Sequence, residues 1–166
     1  LSRAEAAAVT DTLTGALNRR GFDQAHECEV ARSRRNGSPL ALALIDLDDF
    51  KRLNDTLGHH AGDEALIHLV RILRSALRPS DVIGRFGGEE FVVMLPDTGL
   101  DEAVSALTRF QRQLAGCRVA GSGVTLTFSA GVVVQASGES LAESIERADA
   151  ATYAAKRAGK NRVLAG

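Results

Sequence analysis

The apolar positions of the chain follow a helical period in some stretches and form short continuous runs in others. Apolar residues three and four positions apart predict amphipathic helices that pack one face on a core. Two such sets are Leu66, Leu69, Val70, Leu73 and Leu77, and then Leu100, Ala103, Val104, Leu107 and Leu114. Further helices are predicted over residues 18–35, before Gly37 and Pro39, and over residues 141–158, before Gly159.

Strand-like segments lie between these helices. The candidates are residues 40–45, 81–86, 91–95, 124–129 and 162–164. The first is a continuous apolar run, which favours a strand covered on both faces, whereas 124–129 alternates apolar and polar residues. Gly87-Gly88 joins two candidates as in a hairpin. Hairpin pairing combined with helical connections predicts an α+β fold, with a largely antiparallel sheet flanked by helices.

Composition narrows the class of protein. The 166 residues suffice for one core, with 45% hydrophobic and 25% charged residues. The net charge of −1 gives no indication of a nucleic-acid polymer or a membrane surface as partner. No apolar run approaches the roughly 20 residues of a membrane helix, so we expect no membrane insertion. Cys28 and Cys117 lack metal-like spacing and are interpreted as reduced thiols of a cytoplasmic protein.

The two ends of the chain differ in character. Residues 1–10 are alanine-rich and are predicted to be the end of a helix that arrives from an upstream sensory domain. Turn-forming residues begin at Asp11, and residues 11–166 are expected to form one domain. The chain starts with Leu1 and no leader, so we interpret it as a fragment of a longer protein. Whether that protein is tethered to a membrane is left open.

Carboxylates follow the first apolar strand and the glycine pair. Asp46 lies where a rigid element could present it to a hard cation, although this segment alone favours the alternative, in which Asp48 or Asp49 caps the next helix and Asp46 is solvated. The adjacent acids Glu89 and Glu90 repel each other, and a cation would relieve that repulsion. The alternative is an exposed hairpin with both acids in water.

Two other segments could bind phosphates or a base. Asp63 follows Gly62 before a periodic helix and is interpreted first as a helix cap. The neighbouring pair His59 and His60 is not expected to bind one metal ion. Lys156 and Lys160 could complement a helix dipole or bind a polyphosphate. Taken together, carboxylates, glycines and lysines are what a magnesium–nucleoside triphosphate requires.

Five ordered motifs give the chain a family resemblance that covers residues 11 to about 163. The chain resembles the GGDEF family of diguanylate cyclase domains, which join two GTP molecules into cyclic di-GMP. The motifs are Asp11-x-Leu13-Thr14-Gly15-x-x-Asn18-Arg19-Arg20, Asp46-x-Asp48-x-Phe50-Lys51-x-x-Asn54-Asp55, Gly58-His59-x-x-Gly62-Asp63, Gly87-Gly88-Glu89-Glu90-Phe91 and Ala155-Lys156-x-x-Gly159-Lys160-Asn161. The signature has Glu89 where the family name has aspartate, and either carboxylate suits the role.

The resemblance implies a ferredoxin-like fold, similar to nucleotide cyclases and polymerase palm domains. It also implies a cofactor, Mg²⁺ or Mn²⁺, held by Asp46, the Leu47 carbonyl and Glu89. Glu89 would accept the proton of the attacking hydroxyl, Glu90 would tune the same ion, and Lys51 would stabilise charge on the reacting phosphates. The implied GTP-binding residues are Phe50, Asn54, Asp63, Gly87, Gly88, Lys156 and Lys160, of which Asn54 and Asp63 would bind guanine.

Each domain of this type has one nucleotide site, so the resemblance implies a homodimer with two facing GTP molecules. One alternative is a binding module that has lost catalysis, but the signature is intact here. Another is an enzyme for a different nucleotide, which Asn54 and Asp63 argue against.

Arg78-Pro79-Ser80-Asp81 matches the inhibitory R-x-x-D motif of the family, six positions before Gly87. Arg109 matches a second arginine of such sites. The alternative for this segment is structural, with Arg78 at a helix end and Asp81 at a strand start. Position favours a regulatory site, because a guanidinium pairs with phosphate and stacks on purines. We therefore expect cyclic di-GMP to act here as a product inhibitor.

Overall fold

A computed structural model describes residues 2–166 of the chain. Its elements in chain order are helices and strands α1 (Arg3–Val9), α2 (Arg19–Asn36), β1 (Leu40–Leu47), α3 (Phe50–Leu57), α4 (His59–Ala76), β2 (Val82–Arg85), β3 (Glu90–Pro96), α5 (Leu100–Ala115), β4 (Phe128–Val134), α6 (Leu141–Arg157) and β5 (Arg162–Ala165). The predicted helices and the hairpin are confirmed. Within the described residues, no helix is long and apolar enough to cross a bilayer.

The strands form one sheet in the order β2-β3-β1-β4-β5. β1 lies in the centre and pairs antiparallel with β3 and β4, and β2 pairs antiparallel with β3. β5 alone pairs parallel, with β4. The α+β class with a mostly antiparallel sheet is therefore confirmed.

Both faces of the sheet are covered, as the continuous apolar run of β1 predicted. Ala41, Ala43 and Ile45 of β1 face a core formed with α4 and α5. Leu42 and Leu44 face a second core with Phe22 of α2 and Ala148 of α6. Because neighbouring residues of β1 are buried on opposite faces, the strand shows no alternation of polar and apolar residues.

The prediction for β4 was wrong in its limits. Residues 124–127 precede the strand, which begins at Phe128 and continues to Val134. A turn holds the earlier segment, with Val119 N donating to Val124 O at 2.8 Å. Leu126 is buried all the same, so the alternation reflects core packing outside a regular strand.

Helix α6 lies unusually close to the sheet. A Cβ on Gly131 of β4 would lie 2.1 Å from the carbonyl oxygen of Ala148, so only glycine allows this approach. The hydroxyl of Thr152 donates to the Leu44 carbonyl of β1 at 3.2 Å. These contacts fix the last turn of α6, which carries Lys156, beside the end of β1.

Candidate active site

The end of β1 gathers acidic and basic side chains from several elements. Asp46 is opposite Glu90 of β3 and Ser129 of β4 in the strand register. Lys156 at the end of α6 places its Nζ 3.3 Å from Asp46 Oδ1 and 3.5 Å from Asp48 Oδ1. The sheet thus brings together residues that lie far apart in the chain.

The carboxylates at this end are not fully compensated. Burial raises the pKa of Asp46 above its ordinary value; Lys156 opposes the shift, and the charges of Glu89 and Asp48 add to it. Burial also raises the pKa of Glu90, and the charges of Asp46, Asp149 and Glu89 add to that shift. A site whose acids hold protons more tightly than usual is one that a bound cation would stabilise.

Glu89 reaches this end through the hairpin turn. The carbonyl oxygen of Glu89 accepts from Leu47 N at 3.2 Å, which brings the turn against the end of β1. Among the described residues, no three histidine, cysteine or acidic side chains group as a metal site. The carboxylates of Asp46 and Glu89 and the carbonyl of Leu47 are hard oxygen donors, which suit Mg²⁺ or Mn²⁺.

An arginine that the sequence prediction missed holds the Gly87-Gly88 turn. Arg85 donates to the carbonyls of Gly87 and Gly88, at 3.3 and 2.9 Å. The same guanidinium pairs with both carboxylate oxygens of Asp11, at 3.1 and 3.2 Å. The first motif of the sequence is therefore attached directly to the signature turn.

Helix α3 and the first turn of α4 pack closely at Asn54 and Gly62. Asn54 Oδ1 is buried without a hydrogen-bond partner. A Cβ on Gly62 would lie 1.8 Å from this oxygen and 3.3 Å from Phe50 Cζ, so only glycine at position 62 lets the Asn54 side chain pack against α4. Asp63 is exposed on the next position of α4. An unpartnered amide oxygen next to a free carboxylate could recognise the polar edge of a base.

The helix cap predicted at Gly62 and Asp63 was wrong, whereas the alternative that Asp49 caps α3 holds for its position but not for its side chain. Gly62 and Asp63 lie inside α4, whose N-cap is Gly58. Asp49 is the N-cap residue of α3, but its side chain makes no capping hydrogen bond and binds Lys160 Nζ at 2.6 Å instead. Asp48 likewise bonds to residues of distant segments. Asp48 and Asp49 therefore bind groups of distant segments beside the end of β1, and not the backbone of the helix that follows them.

The other two lysines expected to bind phosphates, Lys51 and Lys160, follow in the segments next to the end of β1. Lys51 is exposed in the first turn of α3, and Lys160 lies in a left-handed turn between α6 and β5 with φ 65°. His59 and His60 are exposed.

Arg78, Asp81 and Arg109 gather at the opposite end of β2 from the glycine turn. They line an open cavity of about 440 Å³. Arg78 donates to Pro96 O at 3.1 Å, and Arg109 donates to Ala76 O at 2.9 Å. Burial raises the pKa of Asp81 although both arginines oppose the shift, and its Oδ1 has no partner. The structure thus brings the three residues together at one cavity.

Comparisons with known proteins agree with this architecture. The family description "Diguanylate cyclase, GGDEF domain" matches residues 8–162. The chain is 46% identical to the diguanylate cyclase DgcP of Pseudomonas aeruginosa over 94% of its length, and 42% identical to DgcM of Escherichia coli over 97%. It spans only 24% and 39% of those two relatives.

Solved structures of this kind superimpose closely. The diguanylate cyclase SiaD of Pseudomonas aeruginosa, in complex with its activator SiaC, gives a TM-score of 0.90 at 38% identity, over 98% of this chain and 64% of SiaD. The coiled coil and GGDEF domain of DgcB from Caulobacter crescentus, in complex with c-di-GMP, gives 0.91 at 31% identity, over 99% of this chain and 88% of the other. The chain belongs to the GGDEF family of diguanylate cyclase domains, which confirms the resemblance in the sequence.

Proposed function

We propose that this chain condenses two GTP molecules into cyclic di-GMP and two pyrophosphates. The observation that carries the proposal is the gathering of Asp46, Glu90 and Lys156 at the end of β1, with Glu89 brought there by the hairpin. Acids of raised pKa beside an ammonium group suit a cation bound to phosphate oxygens. The named relatives and the complexes with c-di-GMP support the choice of reaction.

The binding of GTP is assigned to three groups of residues. Asn54 and Asp63 take the guanine, since a carboxylate accepts from the donor edge of guanine and adenine lacks that edge. Phe50 lies beside Gly62, next to Asn54. Lys51, Lys156 and Lys160 bind the phosphates, together with backbone amides at Gly87 and Gly88, where no Cβ obstructs a close approach.

The reaction joins the 3′-oxygen of one GTP to the α-phosphorus of the other, and pyrophosphate leaves. Asp46, the Leu47 carbonyl and Glu89 would hold Mg²⁺ or Mn²⁺, which when bound neutralises phosphate charge and lowers the pKa of the attacking hydroxyl. Glu89 accepts the proton of that hydroxyl, and Glu90 adjusts the charge beside it. A second identical step closes the ring.

The active species is a homodimer, because one domain holds one GTP. Helix α1 would continue a helix from an upstream sensory domain, which would bring two copies together in the cytoplasm, where GTP is available. Turnover per chain should therefore rise with protein concentration, and more so with a leucine zipper fused before Leu1. Turnover per chain that stays flat over a hundredfold dilution reaching well below any plausible dimer affinity would contradict the dimer.

The test of the reaction is incubation of the purified chain with GTP and Mg²⁺, followed by chromatography. Cyclic di-GMP and two equivalents of pyrophosphate are the expected products, and ATP should give none. Binding of GTP without any product over a range of protein concentrations would instead favour a binding module.

We also propose that cyclic di-GMP inhibits the enzyme at Arg78, Asp81 and Arg109. The guanidinium groups would pair with its phosphates, and the unpartnered Asp81 Oδ1 would accept from guanine. Inhibition should be non-competitive with GTP. Arg78→Ala should relieve it and leave the initial rate unchanged, whereas Arg112→Ala, an exposed arginine of α5, should not. Equal affinity of wild type and Arg78→Ala for cyclic di-GMP would contradict this site.

A further inference from the structure

Asp48 makes more connections than any local role would require. It follows β1 directly, and its side chain is 1% exposed. One carboxylate oxygen accepts from Ser129 Oγ at 2.7 Å and lies 3.5 Å from Lys156 Nζ. The other accepts from Thr127 Oγ1 at 2.8 Å and from Asn161 N at 2.9 Å. The buried charge is therefore fully hydrogen-bonded, with partners from three separate segments.

The ammonium group of Lys156 is shared between two carboxylates of different exposure. The side chain of Asp46 is 23% exposed, while that of Asp48 is almost fully buried. Asp46 can therefore turn to a ligand, whereas Asp48 has its lone pairs committed to protein donors. If Asp46 binds a cation, Asp48 still holds Lys156 at the end of the sheet.

Asp48 also secures the turn that carries Lys160. Lys160 and Asn161 both have left-handed backbone, with φ 65° and 49°. Asparagine tolerates that conformation, but it is costly for lysine and needs support from the surroundings. The hydrogen bond from Asn161 N to Asp48 supplies such support, and it places Lys160 within reach of Asp49.

We propose that Asp48 is a positioning residue for the triphosphate, which it does not touch. It fixes Lys156 directly and Lys160 through the backbone of Asn161, so that both ammonium groups face the phosphates. This inference rests on the proposed function, since it assumes that the two lysines bind GTP phosphates.

The variant Asp48→Asn cannot keep both the contact with Lys156 and the contact with Asn161. The amide keeps the size of the carboxylate but replaces one acceptor oxygen with a donor nitrogen and removes the charge. In one orientation the nitrogen faces Asn161 N–H, and in the other it faces the Lys156 ammonium. Either orientation places two donors against each other, so Asp48→Asn releases at least one of the cations.

The direct test is calorimetric titration with 3′-deoxy-GTP and 3′-deoxy-GMP in the presence of Mg²⁺. Both compounds lack the attacking hydroxyl, so binding is measured without turnover. Asp48→Asn should weaken 3′-deoxy-GTP by about tenfold and 3′-deoxy-GMP by less than about twofold, because the cations act on the outer phosphates. Equal weakening of the two nucleotides, or none, would overturn the proposal.

A double-mutant cycle with Lys156→Met gives a second, independent result. If Asp48 acts through Lys156, adding Asp48→Asn to Lys156→Met should cost clearly less than it costs alone. Fully additive losses would contradict that route. Thr127→Val is the matched control, since it removes a donor to Asp48 without involving either lysine and should leave the ratio of the two affinities unchanged.

The outcome for wild type separates this inference from the function on which it rests. If wild type fails to bind 3′-deoxy-GTP, the proposed function fails. If wild type binds it and Asp48→Asn binds it equally well, only the role of Asp48 fails. Should circular dichroism show that Asp48→Asn is unfolded, Asp48→Ser takes its place in the same titrations, with the same expected loss for the triphosphate.

Discussion

Acidic side chains lie near both ends of β4, and their pKa values are shifted in opposite directions. At the Phe128 end lie the site carboxylates Asp46, Glu89 and Glu90, and two of them have raised pKa values. Beyond the Val134 end, Glu139 has its pKa lowered to about 2, chiefly by hydrogen bonds from Arg147. The charges of Asp46 and Glu90 are only partly compensated at one end, whereas the charge of Glu139 is neutralised at the other.

The Glu139 carboxylate is surrounded by hydrogen-bond donors from nearby residues. Arg147 pairs with both carboxylate oxygens of Glu139, at 2.7 and 2.8 Å, and also donates to Val134 O. Ser144 Oγ and Ala136 N donate to the same carboxylate. A carboxylate surrounded by donors stabilises the fold and has no capacity left for a ligand. The comparison shows that compensation, rather than the number of acids, distinguishes a structural cluster from a binding site.

The largest expected effect comes from neutralising the site carboxylates. Asp46→Asn or Glu89→Gln should each reduce cyclic di-GMP formation by about a thousandfold or more, since each removes a negative oxygen that holds the cation. The melting temperature of metal-free Asp46→Asn should equal or exceed that of wild type, because the raised pKa marks an unfavourable charge. Wild-type turnover of either variant at limiting Mg²⁺ would show that the cation site lies elsewhere.

The opposite pattern is expected at the other end of β4. Arg147→Met should lower the free energy of unfolding by about 1–2 kcal/mol at pH 7, because Glu139 loses its charged partner. Turnover per folded chain should stay at the wild-type level. Urea unfolding and a GTP assay measure the two quantities, with Arg157→Met, which lies on the exposed face of the same helix, as control. Loss of turnover at unchanged stability would show that Arg147 and Glu139 serve activity and not the stability of the fold.

The two ends should also respond to acid with opposite sign. The pKa of Glu139 is about 2 when folded against an ordinary 4.5, so its contribution is present above pH 4.5 and is lost as pH falls towards 2. The raised pKa values of Asp46 and Glu90 mean that protonation relieves their charge penalty at higher pH, as pH falls through their raised pKa values towards the ordinary 3.8 and 4.5. Urea unfolding between pH 5 and about pH 3 should therefore show a smaller loss of stability in Glu139→Gln than in wild type. An identical loss in both would mean that Glu139 is not compensated as described.

The smallest expected effect concerns Lys160. Arginine offers a planar fork for phosphate where lysine offers a point charge. Lys160→Arg should lower the apparent KM for GTP by about two- to threefold and leave kcat unchanged. Steady-state kinetics with Arg157→Lys as control measures this. A raised KM would mean that the turn cannot accommodate the larger group.

Local pattern predicted the elements better than it predicted their limits. Apolar residues recur at helical spacing around Leu69 and again around Leu107, so both helices could be predicted from the sequence. β4 was placed too early, because Leu126 alternates with polar neighbours while Ala130 to Val133 are buried without alternation. A strand covered on both faces carries no periodic signal.

The site was predicted unevenly for a related reason. Motif resemblance predicted Asp46, Glu89 and Lys156 as site residues, but Asp48 was interpreted as a possible helix cap. Its partners Thr127 and Asn161 lie 79 and 113 positions away, and no local pattern reports such contacts. The pairing of Asp11 with Arg85 spans 74 positions and was missed for the same reason.

The segment before α2 has a consequence for how two copies can meet. Leu17 donates to Ile83 O at 3.0 Å and accepts from Arg85 N at 2.8 Å, so it occupies main-chain groups of β2 that would otherwise face a neighbouring strand. An open strand edge invites another chain to extend the sheet, and such a junction is difficult to undo. With the β2 edge capped from within its own chain, a second copy cannot extend the sheet at β2, and any contact that two copies make there is left to side chains and turns.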